Sequence, residues 1–271
     1  MSDAPASRAA ADRAVEAVLK EWDDTMGEMI EFEANGGTCP GYLARSDREA
    51  APGVVVVQEW WGISGDKSDV KEIVDRFVGE GYYALAPDLY HGAVAEEPDE
   101  AGKLMMSLKL DQANKDLQGA IAYLRELTGK PVGIVGFCMG GALALYAACE
   151  NSDGVAACAD FYGGYPKIEP DLAALKAPLL GLFAEQDGNV TPAVVNKLSE
   201  QLTTLGKAHE FTIYPGAQHA FFNHLRPDVH DAAASADAWR QVTEWFSQYL
   251  GFTEQQMNSD QQLQSYIEQE D

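Results

Sequence analysis

Apolar residues along the chain follow two periods that alternate. Gly53-Val-Val-Val-Val-Gln-Glu-Trp60 is a continuous β-branched run, which suits a strand buried on both faces of a parallel sheet. Similar short runs recur at residues 82–90, 131–137, 154–162, 177–187 and 209–216. Between them lie segments with helical spacing at 66–80, 112–128, 139–150 and 192–205, and a closing one at 233–249. Gly129 ends the second of these. Two strand candidates come earlier, residues 28–34 and 40–45, around the turn Asn35-Gly-Gly-Thr-Cys39. Strands alternating with helices of ten or more residues predict βαβ units: an α/β fold with a mostly parallel sheet and helices on both faces. Residues 92–111 interrupt the alternation with an acidic, Met-containing excursion.

Both ends differ from this pattern. Residues 7–23 predict an amphipathic helix, with Ala14, Val15, Val18, Leu19 and Trp22 on one side. Residues 253–271 are polar and Gln-rich. The expected organisation is an N-terminal helical extension over 1–27, one domain over 28–250, and a polar tail over 251–271.

Composition narrows the partners. The 43 acidic and 19 basic side chains give a formal net charge of -24, which disfavours nucleic acid and anionic membrane. No stretch reaches the roughly 20 apolar residues of a membrane helix. The first residues have no apolar core of a signal peptide. Cys39, Cys138, Cys149 and Cys158 are irregularly spaced, so reduced thiols and a cytoplasmic location are expected. A small molecule is the expected partner, and the chain is expected to be a monomer or homodimer.

The candidate chemistry centres on Gly136-Phe-Cys-Met-Gly140. The segment joins a strand to a helix and has the form of a G-x-S-x-G elbow, with Cys138 in the nucleophile position. The glycines allow strand and helix to approach closely. The turn aims the Met139 amide at an oxyanion, and the helix N-terminus favours a thiolate. A dinucleotide fingerprint does not fit, because Cys138 occupies a glycine position. The competing reading is a buried, inert cysteine. Cys149 and Cys158 read as core, and Cys39 as a loop residue with no neighbouring base.

A thiol nucleophile needs a base and an orienting acid. Asp187 and His219 each follow a strand, in the order nucleophile, acid, His. Asp187 also reads as a turn residue, His219 as an ordinary loop histidine, and Glu185 competes as the acid. A metal site of His219, His224 and His230 is disfavoured by unequal spacing and the want of a clear carboxylate ligand. No metal and no organic cofactor are expected.

Gln58-Glu-Trp-Trp-Gly62, Ala86-Pro-Asp-Leu-Tyr-His-Gly92, the elbow, Glu185-Gln-Asp187 and Gly216-Ala-Gln-His-Ala-Phe-Phe222 together resemble the dienelactone hydrolase family of α/β hydrolases, from about residue 28 to 250. The resemblance implies an α/β-hydrolase fold and a cysteine hydrolase of small lactones or esters. It implies that Glu59 accepts a hydrogen bond from the resting Cys138 thiol until substrate displaces it. It also implies an oxyanion hole from the Trp60 and Met139 amides. Trp60, Tyr90, His91, Tyr162, Phe221 and Arg226 are the expected substrate contacts. Two arginines that bind the substrate carboxylate in well-matched members are missing: the first region reads Tyr90-His91-Gly92, and the second position is Asn223. The alternative function is a member of the fold that binds a small ligand without turnover, or senses oxidants through Cys138.

Self-repulsion among so many acidic groups predicts a thermal unfolding midpoint that rises from dilute buffer to molar salt. Equal midpoints in a salt series would show that the acidic surface is not a salt adaptation.

Overall fold

The computed structural model describes residues 27–48, 51–164 and 167–251. The expected helix over 7–23 and the Gln-rich tail lie outside the described residues.

The chain opens with a hairpin of β1 (Glu28–Ala34) and β2 (Gly37–Ala44). Asn35 and Gly36 turn it with φ of 54° and 75°, the left-handed pair that matches strand twist in a two-residue turn. Then follow β3 (Gly53–Val57), α1 (Val70–Gly79), β4 (Tyr83–Pro87), α2 (Pro98–Ser107), α3 (Leu110–Thr128) and β5 (Val132–Phe137). The chain continues through α4 (Met139–Glu150), β6 (Ala157–Phe161), β7 (Leu179–Ala184), α5 (Pro192–Thr204), β8 (His209–Tyr214) and α6 (Ala232–Leu250). The sheet order is β1-β2-β4-β3-β5-β6-β7-β8. β2 pairs antiparallel with both neighbours, and β3 to β8 are parallel.

The alternation along β3 shows why the run is apolar throughout. Val54 and Val56 join one core layer, with Ile73 and Phe77 of α1 and Phe246 of α6. Val55 and Val57 join the other, with Leu117 and Ile121 of α3 and Leu143 of α4. Each central strand thus covers helices on two sides, and the expected layered architecture is present.

Three boundaries differ from expectation. β3 ends at Val57, so Gln58 and Glu59 lie beyond the strand, at the edge where the site forms. α1 begins at Val70 rather than 66, because Gly65 turns the chain at φ 118° and Ser68 N–H bonds its carbonyl. The excursion over 92–111 contains α2, which starts with Pro98 and carries Asp99 and Glu100 in its first turn. These residues suit a helix start, and the helix is pinned where Ala101 meets Ala95 and Trp61. Cys39 is also corrected: it sits in β2 with no exposed surface. Among the described residues, no helix is long and apolar enough to cross a membrane.

Candidate active site

The elbow is a point of backbone contact. A Cβ on Gly136 would lie 1.9 Å from the carbonyl oxygen of Gly140, and one on Gly140 would lie 2.4 Å from the carbonyl oxygens of Val57 and Gln58. Between them Cys138 takes φ 56° and ψ -121°, a conformation that non-glycine residues hold only under constraint. Its N–H is anchored on Phe161 O at 3.0 Å. The sulfur is left partly exposed in front of α4. Met139 begins that helix, so its amide has no acceptor within it. The Trp60 amide makes no backbone hydrogen bond among the described residues.

The loops after β7 and β8 meet at this point. They are joined by Gln186 N–H to Ala217 O at 2.9 Å, and by Gly216 N–H to the Glu185 carboxylate at 2.9 Å. Glu185 is therefore engaged with the backbone of the neighbouring loop. Asp187 does two things at once. Its Oδ1 accepts from the Asn189 and Val190 amides at 2.8 and 2.9 Å, as a turn residue would. Its Oδ2 lies 2.5 Å from His219 Nδ1. His219 Nε2 in turn lies 3.1 Å from Cys138 Sγ. The structure thus lines up the three residues in series.

Electrostatics follow from this line. Burial alone would lower the His219 imidazole, but its hydrogen bonds to Asp187 and Cys138 outweigh burial and raise it to about 10. Burial pushes the Asp187 carboxyl up, yet His219 and the two loop amides outweigh it and leave it below its ordinary value. His219 stands between the Asp187 carboxylate and the Cys138 sulfur, and its imidazole is raised by its contacts with both.

Glu59 departs from expectation. It was expected to accept from the thiol. Instead its Oε1 accepts from the Tyr162 hydroxyl at 3.3 Å and its Oε2 from Asn223 Nδ2 at 2.9 Å. Asn223 is itself held, donating to Lys67 O at 3.0 Å and accepting from Leu225 N–H at 3.0 Å. With both carboxylate oxygens engaged, Glu59 is turned off the sulfur and leaves it to His219. Burial raises the Glu59 carboxyl, against the opposing pull of Asn223, His219 and Tyr162. The fixed amide of Asn223 was visible in the sequence only as a missing arginine.

The expected substrate contacts divide. Trp60 is half-buried and edge-on to Trp61, with ring centroids 5.1 Å apart. The Tyr90 hydroxyl reaches Met139 Sδ at 3.7 Å, beside the elbow. Tyr162 and Phe221 have no exposed surface, so they back the site from within the core and present nothing to a ligand. His91 turns to Asp116 at 2.9 Å, and Arg226 pairs with Asp228 at 2.9 Å. The three histidines weighed for a metal go to separate partners: His219 as above, His224 to Glu72 at 3.2 Å, and His230 to Phe221 O at 3.1 Å. Asp160 was not anticipated. It is buried under the elbow, where burial raises it to about 7.

The dienelactone hydrolase family model matches residues 39–250. The chain belongs to the dienelactone hydrolase family. That places it among hydrolases acting on carboxylic ester bonds. It is 37% identical over 231 residues to "Protein usf" of Aquifex pyrophilus, covering 83% of this chain and all of that protein. It is 36% identical over 231 residues to the Aquifex aeolicus (strain VF5) protein named "Putative carboxymethylenebutenolidase", with the same coverage. Among solved structures, the Klebsiella pneumoniae subsp. pneumoniae MGH 78578 protein described as "Putative Dienelactone Hydrolase" superposes with a TM-score of 0.74 at 25% identity, over 82% of this chain and 98% of that one. The sheet and its flanking helices are those of the α/β-hydrolase fold.

Because Asp187 is a main cause of the raised imidazole, NMR titration of His219 is expected to show a midpoint near 10 in the wild type and a lower one in Asp187→Asn. The stability that His219 draws from its partners is complete below its ordinary value of 6.5 and is lost as pH rises through about 10. An unshifted midpoint in the variant contradicts the assignment.

Proposed function

We propose that the chain hydrolyses small lactones and short activated esters, with Cys138 as nucleophile, His219 as proton carrier and Asp187 as its orienting acid. The observation that carries this reading is His219 hydrogen-bonded on one side to Cys138 Sγ at 3.1 Å and on the other to Asp187 at 2.5 Å. The Cys138 sulfur attacks the substrate carbonyl carbon. The resulting oxyanion takes hydrogen bonds from the Trp60 and Met139 amides, a kind of donor whose loss costs about 2.7–4 kcal/mol of barrier. The carbon–oxygen bond then breaks, and the leaving oxygen takes a proton from His219. In a lactone that oxygen stays tethered to the acyl group. A water gives its proton to His219 and attacks the thioester, and the carbon–sulfur bond breaks to regenerate the enzyme.

Glu59 acts as a gate set in the open position by Tyr162 and Asn223. The family's second arginine position holds Asn223, and Asn223 is occupied with Glu59 and the Lys67 carbonyl. Together with the net charge of -24, this favours a neutral substrate over a carboxylate-bearing one. A thiol sensor is the competing reading, and a resolving cysteine is what it needs. Cys39, Cys149 and Cys158 are all buried, and burial is the largest cause raising each thiol. Four unpaired cysteines fit a reducing cytoplasm.

With p-nitrophenyl acetate, the wild type is expected to release nitrophenol and to carry a transient acetyl adduct by intact mass, while Cys138→Ala does neither. Turnover that survives in the variant would remove Cys138 from the mechanism. Asn223→Ala frees Glu59 to compete for the sulfur, so alkylation of Cys138 by iodoacetamide at neutral pH should slow about tenfold, the worth of one hydrogen bond to a charged group. An unchanged rate would mean that Asn223 does not set the gate.

A further inference from the structure

A second group of donor atoms converges outside the Cys138 line. Cys39 comes from β2, His91 from the turn after β4, and Asp116 from α3. One ligand atom from each lies within 4.8 Å of the other two. Asp116 is 1% exposed on a helix face it shares with Ala113, Leu117 and Ala120, where a carboxylate is costly without a counter-charge. Its hydrogen-bonding partner is His91 Nε2 at 2.9 Å. Cys39 is fully buried beside it. His91 is held in a left-handed backbone conformation, φ 50°. The buried Asp88 maintains it by accepting from the His91 N–H at its carbonyl, 3.1 Å, and from the Tyr90 and Gly92 amides at its carboxylate, 3.0 and 2.6 Å. This strained turn directs the imidazole inward onto Asp116.

We propose that Cys39, His91 and Asp116 form a binding site for a divalent cation of the zinc class. Thiolate, imidazole and carboxylate are the ligand types that zinc combines, whereas calcium and magnesium take oxygen ligands throughout. Zinc bond lengths at tetrahedral angles put donors about 3.5 Å apart, so His91 Nε2 and Asp116, now 2.9 Å apart, separate by roughly 0.6 Å while the wider separations, within 4.8 Å, close by roughly 1 Å. His91 also lines a cavity of about 190 Å³, together with Gln112, Tyr90 and Ser107. The Gln112 side chain lies in that lining, 3.1 Å from His91 Nε2. Binding breaks the Cys39 S–H bond, forms a sulfur–metal bond and releases the proton to solvent. A second nucleophilic triad is not what the group provides, since Cys39 lies within a strand, has no exposed surface and has no helix N-terminus behind it. The ion ties three elements together and fixes the turn that carries Tyr90, whose hydroxyl rests on Met139 Sδ at 3.7 Å. It thereby braces one wall of the elbow.

The test is cobalt titration of the full chain after chelator treatment. One equivalent of Co²⁺ is expected to give a sulfur-to-cobalt charge-transfer band with tetrahedral d–d absorption. Cys39→Ser should abolish the band, His91→Gln should weaken binding at least tenfold, and Cys138→Ala should leave both unchanged. His91→Gln, on the partly exposed turn, decides the matter if the core substitution Cys39→Ser fails to fold by circular dichroism. The proposal is overturned by absence of the band at one equivalent. It is equally overturned by a band that survives His91→Gln but vanishes in Cys138→Ala, which would assign the ligand thiol to the elbow.

Discussion

The site depends on one backbone contact. β3, β5 and the first turn of α4 meet with no room for side chains at Gly136 and Gly140. That closeness forces Cys138 into its strained conformation and pushes its sulfur out in front of the helix. It also brings the end of β3, which leads into Glu59 and Trp60, alongside the elbow. The two apolar layers that cover the sheet hold this contact in place, and the strain of the turn is borne by their packing.

Around the contact, buried carboxylates are distinguished by their partners. Asp187 faces a cation and two amides, and it is the one whose carboxyl falls below its ordinary value. Glu59 has only neutral hydrogen-bond donors in direct contact, and burial keeps its carboxyl raised. Asp69, behind Glu59, is raised by burial and by Glu59 itself. Beside His219, one carboxyl is therefore held below its ordinary value, while the other two are raised by burial. The difference is set by hydrogen bonds, since all three are withdrawn from solvent.

Asn223 illustrates how one position changes the division of labour. A cation there would attract an anionic ligand. A neutral amide bridges Glu59 and the Lys67 carbonyl instead. The position therefore carries no cation, and the Cys138 sulfur has His219 as its hydrogen-bond partner.

The sequence by itself determined the layered fold and the order Cys138, Asp187, His219. Both rest on local signals: apolar runs of strand length, and glycines at a turn that tolerates no other residue. It also determined which loops Asp187 and His219 occupy, because those loops follow recognisable strands. Only the tertiary structure decided which partner each polar group takes. Glu59 and Asn223 are 164 residues apart in the chain, and Cys39, His91 and Asp116 lie on three elements that carry no shared pattern. Periodicity reports which face of an element is buried. It does not report which buried donor meets which acceptor, since that depends on how whole elements pack across the sheet.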